Sequence, residues 1–177
     1  MDTFNPKLTP SEMLNEGIFG GSYFGVEVLE GDYDYQSLFQ EALSNVSPHL
    51  YLGEKYKPSS NKFKIRSGMP YEYWKEMKWM HEDDPYGWFE WYIKYYNGRR
   101  HSDDERQVNR WKKLAGHKGR FMRFLVTQIL KKSKEPKNKK WRDMSVSPKI
   151  RQVLQHWGYK LTKKDYDNEI KRRESKK

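Results

Sequence analysis

The chain has 177 residues, no cysteine, and 35 Lys+Arg against 24 Asp+Glu, which gives a formal net charge of +11. This length favours one domain, and the lack of cysteine excludes disulfides, thiolate nucleophiles and Cys-ligated metals. The 16% aromatic fraction is too high for a disordered chain, so large rings must fill the core. No apolar run reaches the roughly 20 residues of a membrane span, and the first ten residues do not resemble a signal peptide. We therefore expect an intracellular protein, cytoplasmic or nuclear, that does not contact membranes.

The positive charge is concentrated towards the carboxyl-terminal end. Residues 1–60 hold three Lys+Arg and nine Asp+Glu, a net charge of −6, whereas residues 111–177 hold 22 and six, a net charge of +16. Such crowding of cations is destabilising unless a polyanion or the acidic front of the chain screens it. A phosphate backbone is the partner that this distribution predicts, and a lysine-rich solvated surface is the alternative.

Residues 17–31 predict a small sheet. Glycines alternate there with apolar residues, a pattern typical of short strands joined by tight turns. A P-loop is excluded because no Gly-Lys-Ser/Thr follows. Farther along, apolar residues recur with a helical period and predict an amphipathic helix over about 35–45: Leu38, Phe39, Ala42, Leu43 and Val46.

The most aromatic segment predicts a central helix. Pro70 is expected to open one helix, and Asp84 with Pro85 is typical of the cap and first residue of the next. Residues 86–97 read YGWFEWYIKYYN, which places rings almost all round a helix and indicates burial on every side. Gly98 is its expected left-handed stop.

The second half of the chain predicts further helices. Ser102 and Glu105 fit a capping box at the start of one of them. These helices are expected over 103–115, over 120–132, and from Ser147–Pro148 to Gly158.

Together these elements predict an α+β protein that is mainly helical, with a compact helical domain around the aromatic helix and a small Gly-rich sheet near the amino terminus. We expect a single globular domain over 1–160 that includes a basic linker at 133–146. Residues 161–177 are expected to be a charged tail, helical or disordered.

The densest polar segment lies between Asp84 and Trp111. Its arginines and carboxylates can pair to brace two helices, or can form an anion pocket beside a helix start. In an enzyme, Asp103 or Asp104 would act as general base or electrostatic stabiliser, the arginines would hold an oxyanion or phosphate, and His117 would carry a proton. The candidate catalytic residues are Arg99, Arg100, Asp103, Asp104, Arg106 and His117.

Two patterns count against catalysis. Asp103 and Asp104 are adjacent, so on a helix their side chains point about 100° apart and make a poor acid–base pair. The five histidines, at positions 49, 81, 101, 117 and 156, show no metal-ligand spacing. The sequence therefore predicts no metal site and no cofactor.

The same segment resembles a family of small Trp-rich proteins of fungi, plants, algae and DNA viruses. Their shared run is D-P-x-G-W-F-x-W-Y-x-x-Y-x-x-G-R-R-x-x-D-D-x-R-Q-x-x-R-W, with L-x-x-G-x-F-G-G-x-Y before it and a His and a late aromatic segment after it. The resemblance covers roughly residues 11–160 and implies no activity, only that the shared residues act as one unit. The lysine-rich stretch after Ile129 lies outside the pattern. The matching positions are Leu14, Gly17, Phe19, Gly20, Gly21, Tyr23, Asp84, Pro85, Gly87, Trp88, Phe89, Trp91, Tyr92, Gly98, Arg99, Arg100, Asp103, Asp104, Arg106, Gln107, Arg110, Trp111, His117, Gln152, Leu154, Trp157 and Tyr159.

Binding without catalysis is the competing interpretation. Exposed rings beside a cationic face would suit single strands or flipped bases, and the candidates are Trp74, Trp79, Tyr95 and Tyr96. The helices over 103–115 and 120–132, with the turn between them, also have helix-turn-helix lengths. The residues expected to contact nucleic acid are Arg110, Lys118, Arg120, Arg123, Lys131, Lys132, Lys139 and Lys140.

The sequence thus predicts a nucleic-acid-binding protein whose basic half contacts the phosphate backbone of DNA or RNA, of the kind used in DNA repair, modification or processing. One alternative is a small cofactor-independent enzyme that acts on a nucleotide or a nucleic-acid base through residues 99–110. The other is a subunit of a larger nucleoprotein assembly.

Overall fold

Helices make up the regular structure of residues 4–25 and 43–176, which are the residues described by the computed structural model. The first half contributes short helices, and the longer ones follow residue 87. In order they are α1 (Pro10–Asn15), α2 (Tyr71–Glu76), α3 (Trp88–Tyr96), α4 (Asp104–Leu114), α5 (Arg120–Lys132), α6 (Pro148–His156) and α7 (Lys163–Glu174). Single 3-10 turns lie at Pro48–Leu50, Pro58–Ser60 and Lys140–Arg142. No helix within the described ranges is long and apolar enough to cross a bilayer.

The predicted Gly-rich sheet is wrong, because no strand occurs in the described part of the chain. Residues 17–25 form successive turns instead, closed by local bonds such as Gly20 N–H to the Gly17 carbonyl at 3.0 Å. Gly20 and Gly21 have φ of +64° and +83°, left-handed values that interrupt an extended strand. The class is therefore mainly helical rather than α+β. Residues 26–31 and most of the predicted helix over 35–45 lie outside the described residues.

The predicted central aromatic helix is confirmed as α3, whose residues from Trp88 to Ile93 are all buried. Its start differs from the prediction. Gly87 occupies the N-cap position with φ +87° and ψ −156°, a conformation open essentially to glycine alone. Asp84 does not cap the helix because its carboxylate is held by cations, as described below.

Phe4 joins the amino-terminal segment to the aromatic core. Its ring contacts five others edge-on, with centroids 5.1–6.5 Å apart: Trp88, Trp91, Tyr92, Tyr95 and Trp111. The Gly158 carbonyl accepts the amide hydrogens of Lys7 (2.7 Å) and Leu8 (3.1 Å), and the Tyr92 hydroxyl donates to the Leu8 carbonyl (2.8 Å). These contacts fix the amino-terminal segment between α3 and the turn after α6.

The predicted helices of the second half are confirmed as α4, α5 and α6, although the cap at α4 is wrong. Ser102 and Glu105 do not form a capping box, and α4 follows Asp103 without a side-chain cap. A complete capping box forms instead at α1, between Thr9 and Glu12. A Ser/Thr followed by Glu three residues later is a local signal that several sites can satisfy, and packing decides which of them is used.

Helix α7 covers part of α5. Tyr166 and Glu169 of α7 are buried, and Arg173 donates to the Arg123 carbonyl (3.0 Å) and the Thr127 hydroxyl (2.8 Å) on α5. Residues 163–174 of the expected tail are therefore a helix packed on the rest of the chain.

Candidate functional site

A buried ion network lies under the amino-terminal end of α3. The Asp84 carboxylate is fully buried and accepts two hydrogen bonds from the Arg99 guanidinium, at 2.8 and 2.6 Å. Lys94 Nζ lies 3.1 Å from Asp84 Oδ1 and 2.7 Å from Glu90 Oε1, and the Tyr86 amide donates to Glu90 at 2.7 Å. Burial acts to lower the pKa of Arg99, but the Asp84 carboxylate outweighs it and the pKa lies above its ordinary value. Two cations and two carboxylates thus neutralise one another.

A second pair occupies the start of α4. Arg106 Nη2 donates to Asp103 Oδ2 at 2.7 Å, and Gln107 Nε2 donates to the same oxygen at 3.0 Å. Burial would raise the pKa of Asp103, but the bond and charge of Arg106 outweigh it and keep that pKa below its usual range. Asp103 therefore stays ionised and paired, which is unlike a free general base.

The neighbouring residues are also engaged. Asp104 accepts the Trp91 indole hydrogen (2.8 Å) and the His101 amide hydrogen (2.9 Å), so it ties α4 to α3. The Arg100 guanidinium lies 3.9 Å from the centre of the Tyr95 ring and donates to the Tyr95 carbonyl at 2.9 Å.

The structure brings five of the six candidate catalytic residues into one region but gives each its own partner. Arg99 and Arg106 bind different carboxylates, and their donors do not converge on one open position. His117 follows the carboxyl-terminal end of α4, about 18 Å of helix away from Asp103 at the other end. These contacts match the interpretation in which the arginines and carboxylates pair to brace two helices. A catalytic role for the six candidate residues stays a prediction.

The structure also reveals a histidine cluster that the sequence spacing did not indicate. His81, Asp83 and His101 each offer one ligand atom, and the three atoms lie within 4.8 Å of one another. Asp83 Oδ2 lies 2.7 Å from His101 Nε2 and 3.3 Å from His81 Nδ1. An open cleft of about 440 Å³ adjoins the cluster and is lined by Asp83, Lys94, Asn97, Arg99 and His101.

Arg110 lies against tryptophan rings. Its guanidinium carbon is 4.8, 5.6 and 5.4 Å from the ring centres of Trp74, Trp79 and Trp157. Its one hydrogen bond to a described residue, to the Trp79 carbonyl, is long at 3.4 Å. Burial, followed by repulsion from Arg106, lowers the pKa of Arg110 to about 10, so the side chain remains a cation. A contact from Arg110 to phosphate stays a prediction, but most of its side chain packs against rings.

The predicted nucleic-acid contacts near the start of α5 have mixed surroundings. Lys118 and Arg120 are exposed. Arg123 is only partly exposed, with Nε 3.7 Å from the buried Glu169 carboxylate on α7. Because α7 covers the side of α5 that carries Arg123 and Thr127, that side cannot enter a DNA groove as a recognition helix would.

The remaining predicted contacts lie in what we term the basic loop, residues 131–142, which begins with the last two residues of α5. It holds seven cations and one acid, Glu135, and none of the cations is ion-paired with any described residue. The loop is tied at its base, because the Ser133 hydroxyl donates to Asp143 Oδ2 at 2.7 Å and Arg151 donates to the Asp143 carbonyl at 2.8 Å. The seven cations are Lys131, Lys132, Lys134, Lys137, Lys139, Lys140 and Arg142.

Neutralisation of the basic half by the acidic front is limited within residues 4–25 and 43–176. One ion pair joins the two, between Lys160 Nζ and Glu16 Oε1. The other ion pairs of the basic half are internal to it, and three arginines share Glu169: Arg123, Arg172 and Arg173.

Comparisons with known proteins give no assignment. No family model, curated protein or solved structure matches the chain. The functional interpretation therefore depends on the residues and their geometry.

Proposed function

We propose that the protein binds nucleic acid through phosphate contacts made by the basic loop. The observation that carries the proposal is the loop itself, where seven cations within twelve residues have no acidic partner among the described residues. The Ser133–Asp143 bond holds the two ends of this segment together, so its cations are concentrated on one short stretch of the chain. Their potentials add, and a polyanion is the ligand that relieves the repulsion.

The composition of the loop favours backbone contacts over base recognition. Six of its seven cations are lysines, which act as point charges towards phosphate and lack the planar, bidentate donor fork of arginine. Arg142, the single arginine, lies 4.8 Å from the centre of the Trp141 ring. We therefore expect binding that depends little on sequence.

Salt dependence tests the proposal. If four loop cations each neutralise one phosphate of a duplex, the slope of log K against log salt is about −3.6, and affinity falls about 150-fold between 50 and 200 mM salt. Fluorescence anisotropy with a labelled duplex of mixed sequence, and with its single strand, measures both quantities. A flat dependence on both probes would overturn the proposal.

Substitution locates the binding surface. The triple variant Lys134→Gln, Lys137→Gln and Lys139→Gln should reduce the slope by up to about 2.7, because three phosphate contacts are lost.

A matched control separates the loop from net charge. Lys113→Gln, Lys164→Gln and Lys171→Gln remove the same charge from exposed positions on α4 and α7. The control should bind almost as the wild type does. Equal losses in the two triple variants would show that overall charge, and not the loop, is responsible.

A further inference from the structure

Two turns that are distant in sequence bring imidazole and carboxylate groups together. His81 and Asp83 lie in the turn before α3, and His101 lies in the turn before α4. Their side chains are partly exposed, by 28%, 51% and 21% respectively, so solvent can reach them.

Buried contacts set the positions of these three residues. The Asp84–Arg99 pair joins the two turns directly beside the cluster. Lys94 Nζ donates to the Asp83 carbonyl at 2.7 Å, and the His101 amide donates to Asp104. Groups held by a rigid scaffold lose little conformational freedom when they bind a ligand.

We infer that His81, Asp83 and His101 form a binding site for a divalent transition-metal ion, with Zn²⁺ as the best fit. Two imidazoles and one carboxylate are a recognised zinc ligand set, whereas Mg²⁺ and Ca²⁺ prefer all-oxygen sites. Tetrahedral zinc with bonds of about 2.0–2.1 Å separates its ligand atoms by about 3.3 Å. The separations here, 2.7 and 3.3 Å with none above 4.8 Å, bracket that value.

Three protein ligands leave one position of a tetrahedral ion open. Asp83 and His101 also line the adjoining cleft, so that open position faces it. A water molecule from the cleft is therefore the expected fourth ligand. The site is thus of the open type, unlike a closed structural zinc centre.

Binding requires a local rearrangement at both imidazoles. His81 Nδ1, which lies 3.3 Å from Asp83 Oδ2, accepts the Asp83 amide hydrogen at 3.3 Å, and this contact is lost when Nδ1 binds an ion. His101 Nδ1 accepts the Asp103 amide hydrogen at 3.2 Å, so the ring proton is on Nε2, where it donates to Asp83. An ion at Nε2 replaces that proton, and Nδ1 must then carry one. The Asp103 amide contact therefore lengthens on binding, and the proton of His101 changes from Nε2 to Nδ1.

Isothermal titration calorimetry of the full chain with Zn²⁺ tests the site. The wild type should bind one ion per chain. His81→Ala, His101→Ala and the isosteric Asp83→Asn should each weaken binding at least tenfold, because each removes a ligand. His49→Ala and His117→Ala, which alter exposed histidines elsewhere, should change the affinity less than twofold.

Two results would overturn the proposal: absence of zinc binding by the wild type, or weakening by the control variants equal to that of the ligand variants. Long-range ¹H–¹⁵N spectra of the wild type give a second reading that needs no variant. The expected change is the move of the His101 proton to Nδ1, and saturation with Zn²⁺ without that change would exclude His101 as a ligand. The site is independent of the proposed nucleic-acid contact, because Asp83→Asn removes the ion and leaves the basic loop intact.

Discussion

Asp84 and Asp83 are adjacent aspartates in contrasting surroundings, and the substitution Asp84→Asn tests the buried ion network. Asp84 is fully buried and faces Arg99 and Lys94, while Asp83 is 51% exposed. The substituted amide would keep the shape of the side chain but not its charge, so two partly buried cations, Arg99 and Lys94, would face the single carboxylate of Glu90. Breaking a buried ion pair from one side costs about 3–5 kcal/mol. For a chain of this size that corresponds to a fall in Tm of about 10 °C.

Urea unfolding, monitored by tryptophan fluorescence and far-UV circular dichroism, measures the loss of free energy of unfolding. In buffer that contains a metal chelator, Asp83→Asn, one residue away, is the matched control and should change the free energy of unfolding by less than about 0.5 kcal/mol. The double variant Asp84→Asn, Arg99→Met should recover part of the loss, because it removes a cation left without its partner. If the free energy of unfolding of Asp84→Asn lies within about 1 kcal/mol of the wild-type value, the network is not a source of stability. If the double variant loses as much free energy of unfolding as Asp84→Asn and Arg99→Met lose separately when summed, the two side chains are not paired.

Three further predictions concern single residues. Burial lowers the pKa of His156 from 6.5 to about 4, so this imidazole is protonated in the unfolded chain at a higher pH than in the folded protein. The free energy of unfolding, compared with that of His156→Gln, should therefore be constant above pH 6.5. It should fall by about 3 kcal/mol between pH 6.5 and 4. A pH-independent difference between the two proteins would contradict this. Gly87→Ala forces a side chain into φ +87° and should cost about 1–3 kcal/mol in urea unfolding; an unchanged midpoint would count against strain there. Ser133→Ala removes the bond to Asp143, so limited trypsin digestion should cut the basic loop faster than in the wild type; equal rates would show that this bond does not restrain the loop.

Hydrophobic periodicity was sufficient to predict the helices that carry the core. The all-round aromatic pattern gave α3, and the period of 3.6 residues gave α4, α5 and α6, because burial of a stripe is a local property of the sequence. The sheet predicted from the Gly-rich segment was wrong, because glycine permits both a strand with close neighbours and a series of left-handed turns. Gly20 and Gly21 adopt the second form, which depends on packing against distant residues such as Tyr56.

The polar clusters show a different limit. The sequence indicated that Arg99, Arg106 and Asp103 belong together, yet not which carboxylate each arginine would take. Asp84 was expected to cap a helix, and its capture by Arg99 depends on the fold of two turns. The histidine cluster was missed for the same reason. Its two imidazoles are twenty residues apart and on no common helix, so ligand spacing within one element could not reveal them.

The position of Phe4 has a practical consequence for handling the protein. Its ring fills a space surrounded by five aromatic side chains, and the two backbone bonds to Gly158 hold the following residues in place. Deletion of the first eight residues, or a bulky fusion placed directly before them, would disturb the centre of the molecule and not only its periphery. Affinity tags and fluorescent labels for the binding measurements are therefore better attached after α7, where Ser175 and Lys176 are exposed.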